Sequence, residues 1–124
     1  MTITSALSRL HRLDGIGYMA HPVGGDVDNN IARAKRWLRL LTEQAPRCAV
    51  IAPWIANIEA GEDDNDPIQR SRGLAKAALV ATRCDYVLLV GGRVSDGMVI
   101  ERDAAKRAGA EIIDLTALGE EPPL

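Results

Sequence analysis

Phenylalanine is absent from this 124-residue chain, and Tyr18, Trp37, Trp54 and Tyr86 are its only aromatic residues. A core without aromatic bulk has to be aliphatic and rich in alanine. The shortage also argues against the exposed ring platforms on which proteins stack RNA or single-stranded DNA. An excess of positive charge is missing too. Against 15 Lys and Arg stand 17 Asp and Glu, a net charge of −2, which leaves no electrostatic footprint for a nucleic-acid polymer. No apolar run nears the roughly 18 residues of a membrane span. The opening MTITSALSRLHRLDG lacks the apolar middle of a secretory signal. A cytoplasmic protein that works neither at a membrane nor on nucleic-acid polymers is therefore expected. Cysteine is scarce: Cys48 and Cys84 each precede an apolar run, where a thiol acts as a small hydrophobe. No C-x-x-C or Cys/His cluster points to a metal, and nothing calls for a cofactor.

What is present fits one domain over residues 1–124, with 1–14 as a lead-in and 117–124 as a loose tail. At 47% hydrophobic and 26% charged, the composition is that of a globular protein. Short apolar runs alternate with longer amphipathic stretches. Ile16–Ala20 reads as a strand ending in the turn-rich His21-Pro22-Val23-Gly24-Gly25. Asp28 or Asn29 can cap a helix reaching Gln44, with Ile31, Ala34, Leu38 and Leu41 as its apolar stripe. Cys48–Ala52 is a second strand, 53–67 a long loop, and 68–83 a helix offering Leu74, Ala77, Ala78 and Ala81 for packing. Residues 85–90, DYVLLV, form the strongest strand. Gly91–Gly97 then turns into a helix through Ala108, and Glu111–Asp114 is the last strand.

Such alternation predicts a doubly wound, Rossmann-like or flavodoxin-like α/β domain. It would hold a parallel sheet of four to five strands with helices on both faces. Ligands of such sheets bind beyond the carboxyl ends of the strands. That rule selects the loops at 20–29, 53–67 and 91–97, and places Tyr18 and Trp54 where a base can stack. Gly92, Ser95, Asp96 and Gly97 feed a helix whose first-turn amides suit a phosphate or carboxylate, although an ordinary entry capped by Ser95 has the same pattern. Gly24, Gly25 and Asp26 permit close backbone approach, or simply a turn. Glu101 lies either beside the strand ends or in solvent. The acidic run 62–66 lacks the ligand spacing of a calcium loop and reads as solvated.

Three elements stand in a telling order: Tyr18-Met19-Ala20-His21-Pro22 with Gly24-Gly25, then Asp85-Tyr86-Val87-Leu88-Leu89, then Ser95-Asp96-Gly97-Met98-Val99-Ile100-Glu101. Over residues 15 to 113 the chain resembles the nucleoside 2-deoxyribosyltransferase superfamily. The likeness includes its 2′-deoxynucleoside 5′-phosphate N-hydrolase branch and small uncharacterised phage and bacterial domains. The resemblance implies that Glu101 attacks the anomeric carbon of a deoxyribose and forms a covalent glycosyl-enzyme, with Tyr18 holding that carboxylate. It implies that Ser95, where the free-nucleoside transferases have Asp, binds a 5′-phosphate. Arg70, Arg72 and Arg93 are possible further phosphate partners. It also implies a homo-oligomer, for which Trp37, Leu40 and Leu41 supply a broad apolar helix face. One departure matters. The family's base-assisting Asp falls on Ala77, so either Asp66, His21 or Asp26 substitutes, or the chemistry differs, or the protein is a non-catalytic nucleotide-binding module.

Overall fold

The computed structural model describes residues 1–124. Four strands, β1 (Gly15–Ala20), β2 (Cys48–Ile51), β3 (Tyr86–Leu89) and β4 (Glu111–Asp114), form one parallel sheet in the order β2-β1-β3-β4. Around it run α1 (Ile3–Arg12), α2 (Val27–Gln44), α3 (Pro53–Glu59), α4 (Pro67–Ala81) and α5 (Asp96–Arg107), followed by a 3₁₀ turn at Thr116–Leu118. The expected doubly wound α/β domain is the architecture found, with four strands.

Side-chain alternation along each strand sorts the core into two layers. Met19, Leu88, Val90 and Ile113 face α1 and α2, whose Ala6, Leu10, Ile31, Ala34, Trp37 and Leu41 close that side. Tyr18, Ala20, Val87 and Leu89 face α4 and α5, which contribute Ala77, Ala81, Met98 and Ala105. Small residues there bring the helices close: a Cβ on Gly97 of α5 would stand 3.0 Å from Leu74 Cδ2 of α4.

The chain leaves β1 toward β2 on one side, then recrosses to β3 on the other. Strand order therefore reverses between β1 and β3, and a crevice opens at their carboxyl ends. Gly91, with φ +100°, carries the β3–α5 connection across the end of β1. A Cβ there would stand 2.7 Å from the His21 ring and 2.8 Å from Pro22, so only glycine lets the two loops touch.

Five expectations about local structure are corrected. The lead-in is a helix, α1, capped by Thr2 and buried through Ala6 and Leu10. The long loop opens with α3, for which Pro53 supplies a preset first-turn residue. Asp26, rather than Asp28 or Asn29, occupies the N-cap position of α2; its carboxylate accepts from Asn29 Nδ2 at 2.7 Å. The tail is tethered: Trp37 Nε1 donates to Glu120 O at 2.7 Å, and Glu121 pairs with Arg33 and Arg36 at 3.0 and 2.9 Å. Trp37, Leu40 and Leu41 are buried in the chain's own core, so they supply no free face for a second copy. No helix is long and apolar enough to cross a membrane.

Candidate functional site

The α5 helix starts where Ser95 Oγ accepts the Met98 N–H at 3.3 Å, which sets the phase of all that follows. Met98, Glu101 and Ala105 then recur on the buried face, and Glu101 is only 6% exposed. A carboxylate among apolar residues needs a donor. Tyr18, fully buried on β1, provides it: its hydroxyl donates to Glu101 Oε2. Burial pushes the Glu101 pKa up to about 7 even though the Tyr18 hydrogen bond pulls it down. Burial and the neighbouring carboxylate push the Tyr18 phenol upward, so it stays a neutral donor.

His21, at the end of β1, is 3% exposed. Its Nδ1 lies 2.6 Å from Pro22 O. A carbonyl only accepts, so Nδ1 carries the proton and Nε2 presents a lone pair. No group in the chain meets that nitrogen, the one buried side-chain polar atom without a partner. Burial lowers the His21 pKa to about 4, against the raising effect of the Pro22 carbonyl, which keeps the ring neutral.

Glu101 and His21 wall a cleft with two lobes. The larger, about 320 Å³, runs to the N-terminus of α5, where Arg93, Ser95, Asp96 and Gly97 line it. The smaller, about 40 Å³, lies among Trp54, Ile58, Glu62, Gly73 and Ala77. Between them Arg70 Nη1 pairs with Asp64 Oδ2 at 2.9 Å, beside Gly24. The expected site residues thus brought together are His21, Gly24, Trp54, Ser95, Asp96, Gly97 and Glu101, with Tyr18 directly behind Glu101.

Others serve the frame. Ala20 and Pro22 are buried beneath the cleft, and Gly25 is an exposed turn residue with φ +95°. Asp26 is tied to Asn29, and Gly92 packs on Glu120 of the tail. Arg72 is exposed and does not line the cleft, whereas Arg70 and Arg93 do. Trp54 stands at the smaller lobe, yet its indole N–H is spent on Met19 O at 2.9 Å, so its ring serves the loop as well as the cleft. Asp66 caps α4, accepting from Ile68 N and Gln69 N at 2.9 and 3.1 Å, and cannot stand in for an acid at 77. The acidic run is not simply solvated, because Asp64 is nearly buried against Arg70, and it forms no metal cluster. Glu62 and Asp64 were not expected here. Their only sequence signal is acidic residues in a loop that follows a strand's carboxyl end.

The two shifted groups make stability depend on pH in opposite directions. An unfolded glutamate titrates at 4.5 and Glu101 at about 7, so its contribution is full below pH 4.5 and is lost as pH rises through 7. His21, moved from 6.5 to about 4, contributes fully above pH 6.5, and that is lost as pH falls through 4. Glu101→Gln removes the first slope while keeping an acceptor for Tyr18. Relative to the wild type, it should gain about 3 kcal/mol between pH 4 and pH 8 in urea titrations. A difference that does not change with pH contradicts the buried, protonated Glu101.

These features define a small parallel α/β domain with a cleft at its topological switch point and a buried Tyr–Glu pair in the wall. The chain belongs to the family described as Domain of unknown function (DUF7768), whose match covers residues 16–115, from β1 to just beyond β4. No curated protein and no solved structure matches it.

Proposed function

We propose that the protein cleaves the N-glycosidic bond of a deoxynucleoside 5′-monophosphate through a covalent glycosyl intermediate on Glu101. The observation that carries the reading is the buried Glu101, aligned by Tyr18 in the wall of a cleft that ends at the α5 N-terminus with Ser95 and Arg93. The ionised Glu101 oxygen attacks the anomeric carbon as the bond to the base breaks, the electron pair leaving with the base, which takes up a proton. Water then attacks the same carbon, releasing the sugar phosphate with retention and regenerating the carboxylate. Tyr18, held neutral, fixes one carboxylate oxygen. The first-turn amides of α5 and the Arg93 guanidinium favour a phosphate at the other end. On this reading the partner is a small nucleotide rather than a nucleic-acid polymer, and the protein works in the cytoplasm.

A panel of deoxynucleoside monophosphates and the matching nucleosides, followed by chromatography of free base, tests the reading. Monophosphates should be turned over at least about tenfold more efficiently than nucleosides. Ser95→Asp keeps a good helix cap but sets a negative charge against the phosphate, so KM for the monophosphate should rise about tenfold or more. Equal turnover of nucleosides and monophosphates sinks the phosphate assignment. Ala77 favours a second reading, nucleotide binding without cleavage, because it places a methyl group in the smaller lobe where an acid would assist the leaving base. Tight binding in calorimetry with no base released selects that reading.

A further inference from the structure

Next to Glu101 the smaller lobe holds one ionisable group that neither the reaction above nor the fold uses. Glu62 follows Gly61 in the loop before α4, and its carboxylate makes no hydrogen bond or ion pair in the chain. Its place is made by Gly73: a Cβ there would collide with Glu62 Oε1 and stand 3.0 Å from its Cδ. Two donors beside it are already engaged within the chain. The Trp54 indole N–H goes to Met19 O, and Arg70 Nη1 to Asp64 Oδ2. The second unpartnered group is His21 Nε2, an acceptor because Pro22 O holds the proton on Nδ1. Glu62 and His21 Nε2 thus both present acceptors to the lobe. A ligand edge that enters has to bring donors, or it leaves buried lone pairs unmet.

The lobe is about 40 Å³, which admits the edge of a ring while the rest of the base stays in the larger cavity. A carboxylate accepts two parallel N–H bonds. Among the common bases only guanine sets two N–H donors side by side, on N1 and the 2-amino group. Adenine and cytosine place a ring-nitrogen lone pair beside their amine, and thymine flanks its N–H with carbonyls.

Resting on the reading of the cleft as a nucleotide site, we propose that Glu62 recognises the base, its carboxylate accepting the paired N–H donors of guanine. Calorimetry in the Glu101→Gln background, which keeps the ligand intact, tests this with deoxyguanosine and deoxyinosine monophosphates, which differ only in the 2-amino group. The guanine nucleotide should bind about tenfold or more tightly than the inosine one. Glu62→Gln puts an amide N–H against a donor, and should weaken guanine binding about tenfold and bring the ratio close to one. Gly73→Ala, which displaces the carboxylate without touching Ser95, should do the same with an unchanged circular dichroism spectrum. A guanine-to-inosine ratio that survives Glu62→Gln overturns the proposal. Equal binding of adenine, thymine and guanine monophosphates overturns it while leaving the nucleotide reading in place. Failure of every monophosphate to bind overturns both.

Discussion

Glu101→Gln is expected to release free base from deoxynucleoside monophosphates at least about 10³-fold more slowly than the wild type, with binding of the intact nucleotide retained. The amide has the size and the acceptor oxygen of the carboxylate, so Tyr18 keeps a partner, but it lacks the charge that the proposed attack on the anomeric carbon needs. In the wild type the same carboxylate, pushed up to about 7, is half protonated at neutrality. Only the ionised form is a nucleophile, so kcat/KM should climb with pH through about 7 and then level. Tyr18 stays neutral throughout because burial and the Glu101 charge hold its pKa up. Tyr18→Phe leaves the carboxylate without its one donor, which moves its pKa higher and shifts the rising limb to higher pH. Stopped assays across pH 5 to 9 read both effects. Turnover that persists in Glu101→Gln removes Glu101 as nucleophile.

Trp37→Ala should be the most destabilising single substitution in the frame, by about 3–5 kcal/mol. Trp37 is fully buried in the layer beneath α1 and α2, and is the largest residue there. A chain without phenylalanine has few side chains that can collapse into the space it leaves. The indole N–H bond to Glu120 O is lost as well, leaving the tail with the Glu121 pairs to Arg33 and Arg36. Those pairs are solvent-exposed and add little, although both guanidiniums lower the Glu121 pKa. Trp37→Phe refills most of the volume and isolates the hydrogen bond, for which about 1 kcal/mol is expected. Urea titration measures the loss, and limited proteolysis at residues 119–124 reports whether the tail has been freed. A loss below about 1 kcal/mol in Trp37→Ala shows that the core closes over the gap.

Release of the tail reaches the cleft, because Gly92 packs on Glu120 just before Arg93 and Ser95. This contact joins the C-terminal strand-and-turn region to the β3–α5 loop, and no local pattern announces it. The missed α1 was legible, by contrast: Ile3, Ala6, Leu7 and Leu10 keep helical spacing behind a Thr2 cap. So was α3, from Pro53 in a first-turn position and Ile55 and Ile58 three apart. Both are short, and α3 is flanked by a strand and an acidic loop, which masks its periodicity.

By itself the sequence determined the class of fold and the alternation of strands with the longer helices α2, α4 and α5. Short apolar runs between turn residues are too brief for the helices of such a core and read as strands, and Ser95 marks where the last long helix starts. These are local matters, decided by side-chain period and backbone chemistry within a few residues. Only the tertiary structure decided that β1 sits between β2 and β3, and hence that the reversal of strand order brings Tyr18 and His21 against Gly91 and Glu101. Tyr18 and Glu101 are 83 residues apart, and the Asp64–Arg70 brace and the Gly73 notch under Glu62 arise from packing one element on another. Such contacts depend on distance and shape across the sheet, which residue spacing along the chain does not encode.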